Sequence, residues 1–294
     1  MAVAWTTITN AQVSAGAALT TALQTALRDN PEGIAQRASG APKIFGVAYD
    51  YQEFTANGTW TKPTNAETGD KVIVQVVAGG GAGGRGPTVP QGGMGGGGAM
   101  HKFEDIDDLG ATEAVVVGAG GVAASGSGGN GGNSSFGTAA ASATIGNFLQ
   151  GIGGQGGDNN TTGRVDDYST YGFVRHSTND TNPHAANEGT SGGQYGGSGG
   201  GDGDPVGGSA ISGGAGGAGC DSNSAGLDTH PGGVSMYAGR GGNSTATSGA
   251  VSDIAIDGEF PGGGGGAVDT GTTGDTVGGE GADGVVRVWC IKEG

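Results

Sequence analysis

Gly118, Gly120 and Ala123 close the run EAVVVGAGGVA (113–123), in which strand-forming residues lead straight into glycines. GxGxxA at the end of a strand is the spacing by which a strand-turn-helix unit cradles a dinucleotide pyrophosphate. That chemistry needs two further parts. A helix must follow, so that its N-terminal amides face the phosphate, and an acidic residue must stand about 20 positions on to hold the ribose. Here ASGSGGNGGNSSFG follows Ala123, which cannot hold a helix, and the next carboxylate is Asp158. With 72 glycines in the chain, chance matches to this motif are expected. The motif is read as architecture, and no cofactor is assigned. No lysine follows a glycine, so a Walker A loop is absent as well.

Other chemistry is as weakly marked. FEDIDDLG offers Glu104, Asp105, Asp107 and Asp108 near the end of a strand. Calcium favours such oxygens, but the cluster lacks the twelve-residue loop and its closing glutamate. A solvated turn is the preferred reading, and whether Asp105, Asp107 and Asp108 bind calcium stays open. His101, His176, His184 and His230 show no metal-ligand spacing, and neither Cys220 nor Cys290 joins them in a zinc pattern. Nothing singles out two of the 28 acidic residues as a glycosidase pair. An enzyme is not expected.

The elements that would position any site are set by composition. Glycine fills roughly a quarter of the 294 positions, against about 7% in ordinary chains. Only 9 prolines are present and no G-X-Y period runs through, which excludes collagen. The formal net charge of −16 disfavours a nucleic-acid partner, whose binding is driven by counterion release onto basic side chains. No apolar run approaches the ~20 residues that span a bilayer, and no basic start leads into an apolar signal segment, so no membrane insertion and maturation in the cytoplasm are expected. Two cysteines are too few for a disulfide framework. Cys290, in an apolar strand-like run, reads as a buried reduced thiol.

The chain divides into three. Residues 1–42 form a helical segment: Leu19, Leu23 and Leu27 recur every fourth residue, Ser14 can cap the start, and Asn30-Pro31 should stop the helix. A second short helix, PEGIAQRASG, is expected from Pro31 and carries Ile34. An isolated helix of this length is marginal in water, so the stripe Leu19, Leu23, Leu27 and Ile34 is read as an attachment and oligomerisation surface. Residues 43–70 read as a connector in which Asn57-Gly58 turns a β-hairpin. Residues 71–294 are the glycine-rich module. Strands are expected at DKVIVQVV, Met100–Ile106, Glu113–Val117 and GVVRVWCI, around an interior of glycine, serine, asparagine and threonine.

Within that interior, GGAGGAG (213–219) places two glycines in every three residues. A polyproline II helix repeats every three residues and leaves its backbone unpaired. Where two of three faces carry no side chain, such helices can approach and bond laterally. Entropy opposes this, because ordering glycine costs roughly 0.5–1 kcal/mol more than ordering alanine. Backbone hydrogen bonds, each worth about 0.5–1.5 kcal/mol net, offset that only if nearly every group is paired. The region is thus either a dense lattice of extended segments or disordered, and the bracketing strands favour the lattice. The fold class expected is mainly β: a short helical segment, then a β-sandwich-like module with a polyglycine II interior.

One stretch interrupts the glycine. DNNTTGRVDDYSTYGFVRHSTNDTNPHAANEG (158–189) gathers Arg164, Tyr168, Tyr171, Phe173, Arg175, His176 and His184, and a second island holds His230, Tyr237 and Arg240. Aromatic and guanidinium groups among short polar residues suit an adaptable recognition surface. Loops that merely cover the glycine core are the other reading. From these residues, Arg164, Tyr168, Tyr171, Phe173, Arg175, His176, His184, Tyr237 and Arg240 are taken as receptor-binding candidates.

FTANGTWTKPTNAETGDKVIVQVVAGGGAGG (54–84), GGGAMHKFEDIDDLGATEAVVVGAGGVAASGSGGNGGNSSFG (96–137), PGGGGGA (261–267) and GADGVVRVWCI (281–291) together resemble the glycine-rich C-terminal domain of bacteriophage tail fibres. The N-terminal ITNAQVSAGAALTTALQTALRDNPEGIAQRASGAPKI resembles, less specifically, the start of small fibre proteins of siphophages and gene-transfer-agent-like particles. The resemblance implies a virion component, usually a homotrimer, assembled in the host cytoplasm. Such a protein contacts a tail or capsid protein through its N-terminal segment and a host glycan or outer-surface protein through its tip. The chain departs from the family in lacking a long shaft, which leaves tail and capsid mounting both open. A structural capsid-decorating fibre and, less so, a polysaccharide depolymerase are the other functions considered.

Overall fold

The computed structural model describes residues 6–9, 20–35, 48–86, 90–103, 105–137, 149–158, 199, 206–219, 227–247, 254–269 and 277–292. Among them the chain is mainly β with a single helix, α1 (Thr21–Ala35). The first strands are β1 (Ala48–Phe54), β2 (Gly58–Thr61), β3 (Lys71–Val77), β4 (Arg85–Gly86), β5 (Gly98–Phe103), β6 (Thr112–Val116), β7 (Ser134–Phe136) and β8 (Leu149–Gly151). The later ones are β9 (Leu227–His230), β10 (Ser244–Thr247), β11 (Ile254–Ala255), β12 (Val268–Asp269) and β13 (Val285–Ile291).

Two four-stranded antiparallel sheets, ordered β1-β13-β3-β5 and β2-β6-β7-β8, enclose the apolar core. Alternation sets the inward faces. Val72, Val74 and Val76 of β3 point in beside Val286, Val288 and Cys290 of β13, and Trp60, Val115 and Phe136 meet them from the other sheet. The ring centroids of Trp60 and Phe136 lie 5.7 Å apart, and those of Phe103 and Phe136 6.2 Å apart. The Asn57-Gly58 pair does not turn a hairpin. β1 pairs with β13 and β2 with β6, so the segment crosses between sheets, and Asn57 Oδ1 instead accepts from Val117 N–H at 2.8 Å. Strand-forming residues on both sides of a turn do not fix which partner each strand finds, and here long-range pairing wins.

Beyond the core the strands run on into glycine, and the two sheets close on one another. Residues 78–85, continuing β3, bond to three neighbours in strict rotation. Ala78, Gly81 and Gly84 donate to Gly97, Met94 and Gln91; Gly79, Ala82 and Arg85 donate to Gly132, Gly129 and Gly126; Gly80 and Gly83 donate to Ala282 and Gly279. All eight bonds are 2.8–3.0 Å long. The carbonyls turn to three more segments, accepting from Gly154 and Gly157, from Gly265 and Val268, and from Gly121. A three-residue repeat whose bonds all run sideways is the polyglycine II geometry. The segment is surrounded on six sides.

Residues 262–268 form a second hub of the same kind. Their amides reach Asp283, Glu259, Ala215, Gly81, Ile256, Ala218 and Gly84, and their carbonyls accept from Gly96, Ala282, Gly242, Gly93 and Gly279. Sheets that carry side chains stand about 10 Å apart. Without them the layers approach to direct hydrogen-bonding distance. A Cβ on Gly80 would overlap the Gly263 carbonyl, and one on Gly265 the Gly279 carbonyl.

Where the lattice meets its edge, side chains complete the pattern. Asn130 and Asn133, three apart in GGNGGN, accept from the amides of Gly156 and Gly153, each at 2.9 Å. Asn243 accepts from Gly232, Asp283 from Gly120 and Asp257 from Glu280. Each short carboxamide or carboxylate stands in for the carbonyl of a missing neighbour.

The N-terminal expectation needs correction. α1 is one helix that runs through Pro31, not two separated there. Thr20 caps it, its Oγ1 accepting from Leu23 N–H at 3.2 Å. Proline removes one helical amide and the bond it would donate. The Asn30 side chain is tied down beside it, since its Nδ2 donates to the Thr6 carbonyl (2.9 Å) and its Oδ1 accepts from the Thr6 amide (3.0 Å). Leu23 and Ala26 are buried whereas Leu27 is 56% exposed, so the buried stripe turns away from the fourfold leucine spacing. Leu19 and Ser14 lie outside the described residues, and Ile34 falls on α1.

Two substitutions measure the lattice. Gly80→Ala or Gly265→Ala should each cost about 1–3 kcal/mol of stability by overpacking. Asn130→Ala, which only frees one edge amide, should cost about 0.5–1.5 kcal/mol. Denaturant unfolding followed by circular dichroism checks both, and equal midpoints for Gly80→Ala and wild type would deny the close backbone approach.

Candidate functional site

The outward face of the β1-β13-β3-β5 sheet carries the described side chains best placed to meet a partner. Register puts Tyr51, Trp289, Ile73 and Lys102 in one cross-strand row, and Glu53, Arg287, Gln75 and Met100 in the next. A chain of polar contacts ties these rows together. Gln75 Nε2 donates to the Tyr237 carbonyl (3.4 Å), Arg287 Nη1 to Gln75 Oε1 (3.4 Å), Arg287 Nε to Glu53 Oε2 (2.7 Å), and Tyr51 O–H to the same carboxylate oxygen (2.8 Å). The Tyr51 ring leans on Trp289, with centroids 5.4 Å apart and planes at 34°.

A glycine-lattice turn borders this face. Met236 and Tyr237 bond back to the Ala210 and Ile211 carbonyls, while Ser212 O–H reaches the Gly98 carbonyl at the start of β5. Tyr51, Met100, Ile211, Met236 and Tyr237 are all at least half exposed. The result is an aromatic and methionine-rich surface with an ion pair set into it. Arg287 and Tyr51 both donate to Glu53, and Arg287 first of all holds that carboxyl below the usual carboxylate range. Partial burial, and then the neighbouring Glu53, push the Tyr51 phenol up. The face therefore carries a neutral phenol and an ionised pair at neutral pH.

Of the residues singled out from sequence, Tyr237 lies at this face and is exposed, and Arg240, three residues on, is exposed on the lattice. Arg164, Tyr168, Tyr171, Phe173, Arg175, His176 and His184 lie outside the described residues. Sequence reading missed Tyr51, Met100, Arg287 and Trp289, because alternation along β1 and β13 reveals two faces without saying which one stays open. The apolar Val286, Val288 and Cys290, alternating with Arg287 and Trp289, were the available signal.

The other motifs resolve into structure. In the GxGxxA stretch, Gly118 donates to Ser134 Oγ (2.8 Å), Gly120 to Asp283 Oδ1 (2.7 Å) and Gly121 to the Gly80 carbonyl, so these amides are engaged by the lattice. Asp105 caps the short 3₁₀ turn Ile106–Asp108, accepting from the amides of Asp107 (2.9 Å) and Gly69 (3.1 Å). Those backbone donors lower its pKa. Asp107 is bound by Thr68 O–H (2.8 Å) and Lys62 Nζ (3.3 Å). Among the described residues no group of three or more His, Cys, Asp or Glu is arranged to hold a metal. No helix among them is long and apolar enough to cross a membrane. Burial in the core pushes the Cys290 thiol up to about 12.

The fold is thus a β-sandwich extended by a polyglycine lattice, with aromatic and methionine side chains exposed on its outer surfaces. The glycine-rich domain family matches residues 53–290, and the chain belongs to that family. No curated protein matches it.

Two measurements follow from the electrostatics. Because the folded Glu53 carboxyl titrates below its unfolded value, its contribution is present above that value and is lost as pH falls through the folded one. Glu53→Gln should therefore flatten the fall in thermal midpoint between about pH 6 and pH 3. Cys290, protonated and buried, should resist alkylation in the native protein at neutral pH and react once denaturant is added, as read by peptide mass spectrometry.

Proposed function

We propose that the protein is a virion fibre that binds the host cell surface through side chains held on a rigid glycine lattice, its receptor being a neutral glycan. The observation that carries this reading is the half-exposed Tyr51 ring lying against the partly buried Trp289, flanked by the Glu53–Arg287 ion pair. Flat rings stack on the apolar faces of sugars, and fixed polar groups beside them read hydroxyls. The net charge of −16 favours an uncharged polysaccharide over an acidic one. The likeness to phage tail fibres supports the same reading, because a lattice of backbone alone offers nothing by which to tell partners apart.

The 158–189 stretch, which beyond Asp158 lies outside the described residues, joins this surface in the proposal together with Tyr237 and Arg240. Exposed Leu27 on α1 is proposed as part of the trimer contact near the attachment end. Whether the fibre stands on the tail or the capsid is read directly by immunogold labelling of virions.

Virions carrying Tyr51→Ala with Tyr237→Ala, or Tyr168→Ala with Tyr171→Ala and Arg175→Ala, should adsorb at least tenfold more slowly while incorporating normal amounts of folded fibre. Undiminished adsorption by both variants contradicts the receptor role. Release of reducing ends from host polysaccharide would replace it with a depolymerase.

A further inference from the structure

Where β13 ends and β3 begins, a lysine and two carboxylates meet at the edge of the core. Lys292 follows β13 and Asp70 precedes β3, and the Ile291–Lys71 pairing brings them side by side. Lys292 Nζ lies 3.2 Å from Asp70 Oδ1 and 2.5 Å from Glu67 Oε2. The Asp70 side chain is fully buried and the Lys292 side chain only 5% exposed. Asp70 Oδ2 accepts from Tyr49 O–H (3.0 Å) and from Glu67 N–H (3.0 Å). The turn holding Glu67 against Asp70 is fixed by the Asp70 N–H to Glu67 carbonyl bond and by Gly69, whose φ of +87° favours glycine.

Burying two ions costs desolvation that a neutral group in their place avoids. This pair has a neutral alternative within reach. We propose that Lys292 and Asp70 condense into an intramolecular isopeptide bond, with Glu67 as the catalytic residue. The Glu67 carboxylate takes a proton from the ammonium, and the freed Nζ lone pair attacks Asp70 Cγ. Negative charge gathers on Oδ2, where Tyr49 O–H and Glu67 N–H already donate, as in an oxyanion hole. The Nζ–Cγ bond forms, the Cγ–Oδ1 bond breaks, and Oδ1 departs as water. Both of its protons come from the ammonium, passed through Glu67, which ends as the carboxylate it began as. Ammonium and carboxylate become amide and water, with no other reactant. The cross-link ties the first turn before the glycine-rich module to its last strand, closing the lattice covalently against pulling from its ends.

Intact-mass spectrometry of the denatured full chain tests this. The wild-type protein should be one water lighter than its sequence, and its digest should contain a branched peptide joining Asp70 to Lys292. Glu67→Gln, at a half-exposed position that leaves the core untouched, should fold and keep the full mass, as should Lys292→Met. A folded wild-type chain at full sequence mass overturns the proposal and leaves an ion pair only. So does a water loss that persists in both variants, which would place it at an Asp-Gly step (Asp202-Gly203, Asp257-Gly258 or Asp283-Gly284) as a succinimide. If Lys292→Met does not fold, Glu67→Gln and the branched peptide decide.

Discussion

A backbone without side chains must find partners for every amide and carbonyl it buries, and in this protein that requirement shapes everything outside the sandwich core. An ordinary strand meets two neighbours in its sheet and leaves its faces to side chains. Gly79–Gly84 and Gly262–Gly266 have no such faces, so each successive residue turns its amide to a different neighbour. A segment satisfied in this way needs six others around it. The order of the chain follows: long excursions from β3 to β5 and from β6 to β7 lay antiparallel segments beside one another, and the later segments 262–268 and 279–284 pack directly against them.

The sandwich and the lattice depend on each other. Hydrophobic burial at Trp60, Phe136, Val74 and Val288 supplies a driving force that glycine cannot, and it sets the register of the strands that run on into the lattice. Where valine gives way to glycine, at Val77–Ala78–Gly79 and again at Gly284–Val285, side-chain packing gives way to backbone bonding within one or two residues. Alanine is admitted at Ala78, Ala82, Ala215, Ala218 and Ala267, all fully buried. Asparagine marks the boundary, because its Oδ1 can complete the pattern only where no neighbouring segment competes for the amide.

Much of this was legible in the sequence and some was not. The strands DKVIVQVV and GVVRVWCI announced themselves by composition, and the three-residue glycine period pointed to laterally bonded extended helices. The Asn57-Gly58 turn misled, because local turn chemistry cannot tell a hairpin from a crossing between sheets. Pro31 misled similarly: a helix tolerates the lost bond when Asn30 is clamped to Thr6. Of the leucine stripe, Leu23 is buried beside Ala26 and Leu27 stays exposed, a difference that the fourfold spacing alone does not reveal. The outward aromatic face was hidden because Tyr51 and Trp289 become neighbours only when β1 pairs with β13, across almost the whole chain. For the same reason Asp70, Glu67 and Lys292 gave no sign of meeting.

A rigid, side-chain-poor body fits the proposed role of holding recognition groups, since substitutions outside the hubs leave the backbone bonds intact. That account stands or falls on whether the glycines are ordered and bonded in solution. Residue-resolved amide hydrogen exchange on the native full chain is the direct measurement. Amides of Gly79–Gly84 and Gly262–Gly266 should exchange as slowly as those of Val286 and Val288 in β13, limited by opening of the whole domain. Exchange of those glycine amides at the rate of an unstructured peptide, with β13 still protected, would contradict the lattice.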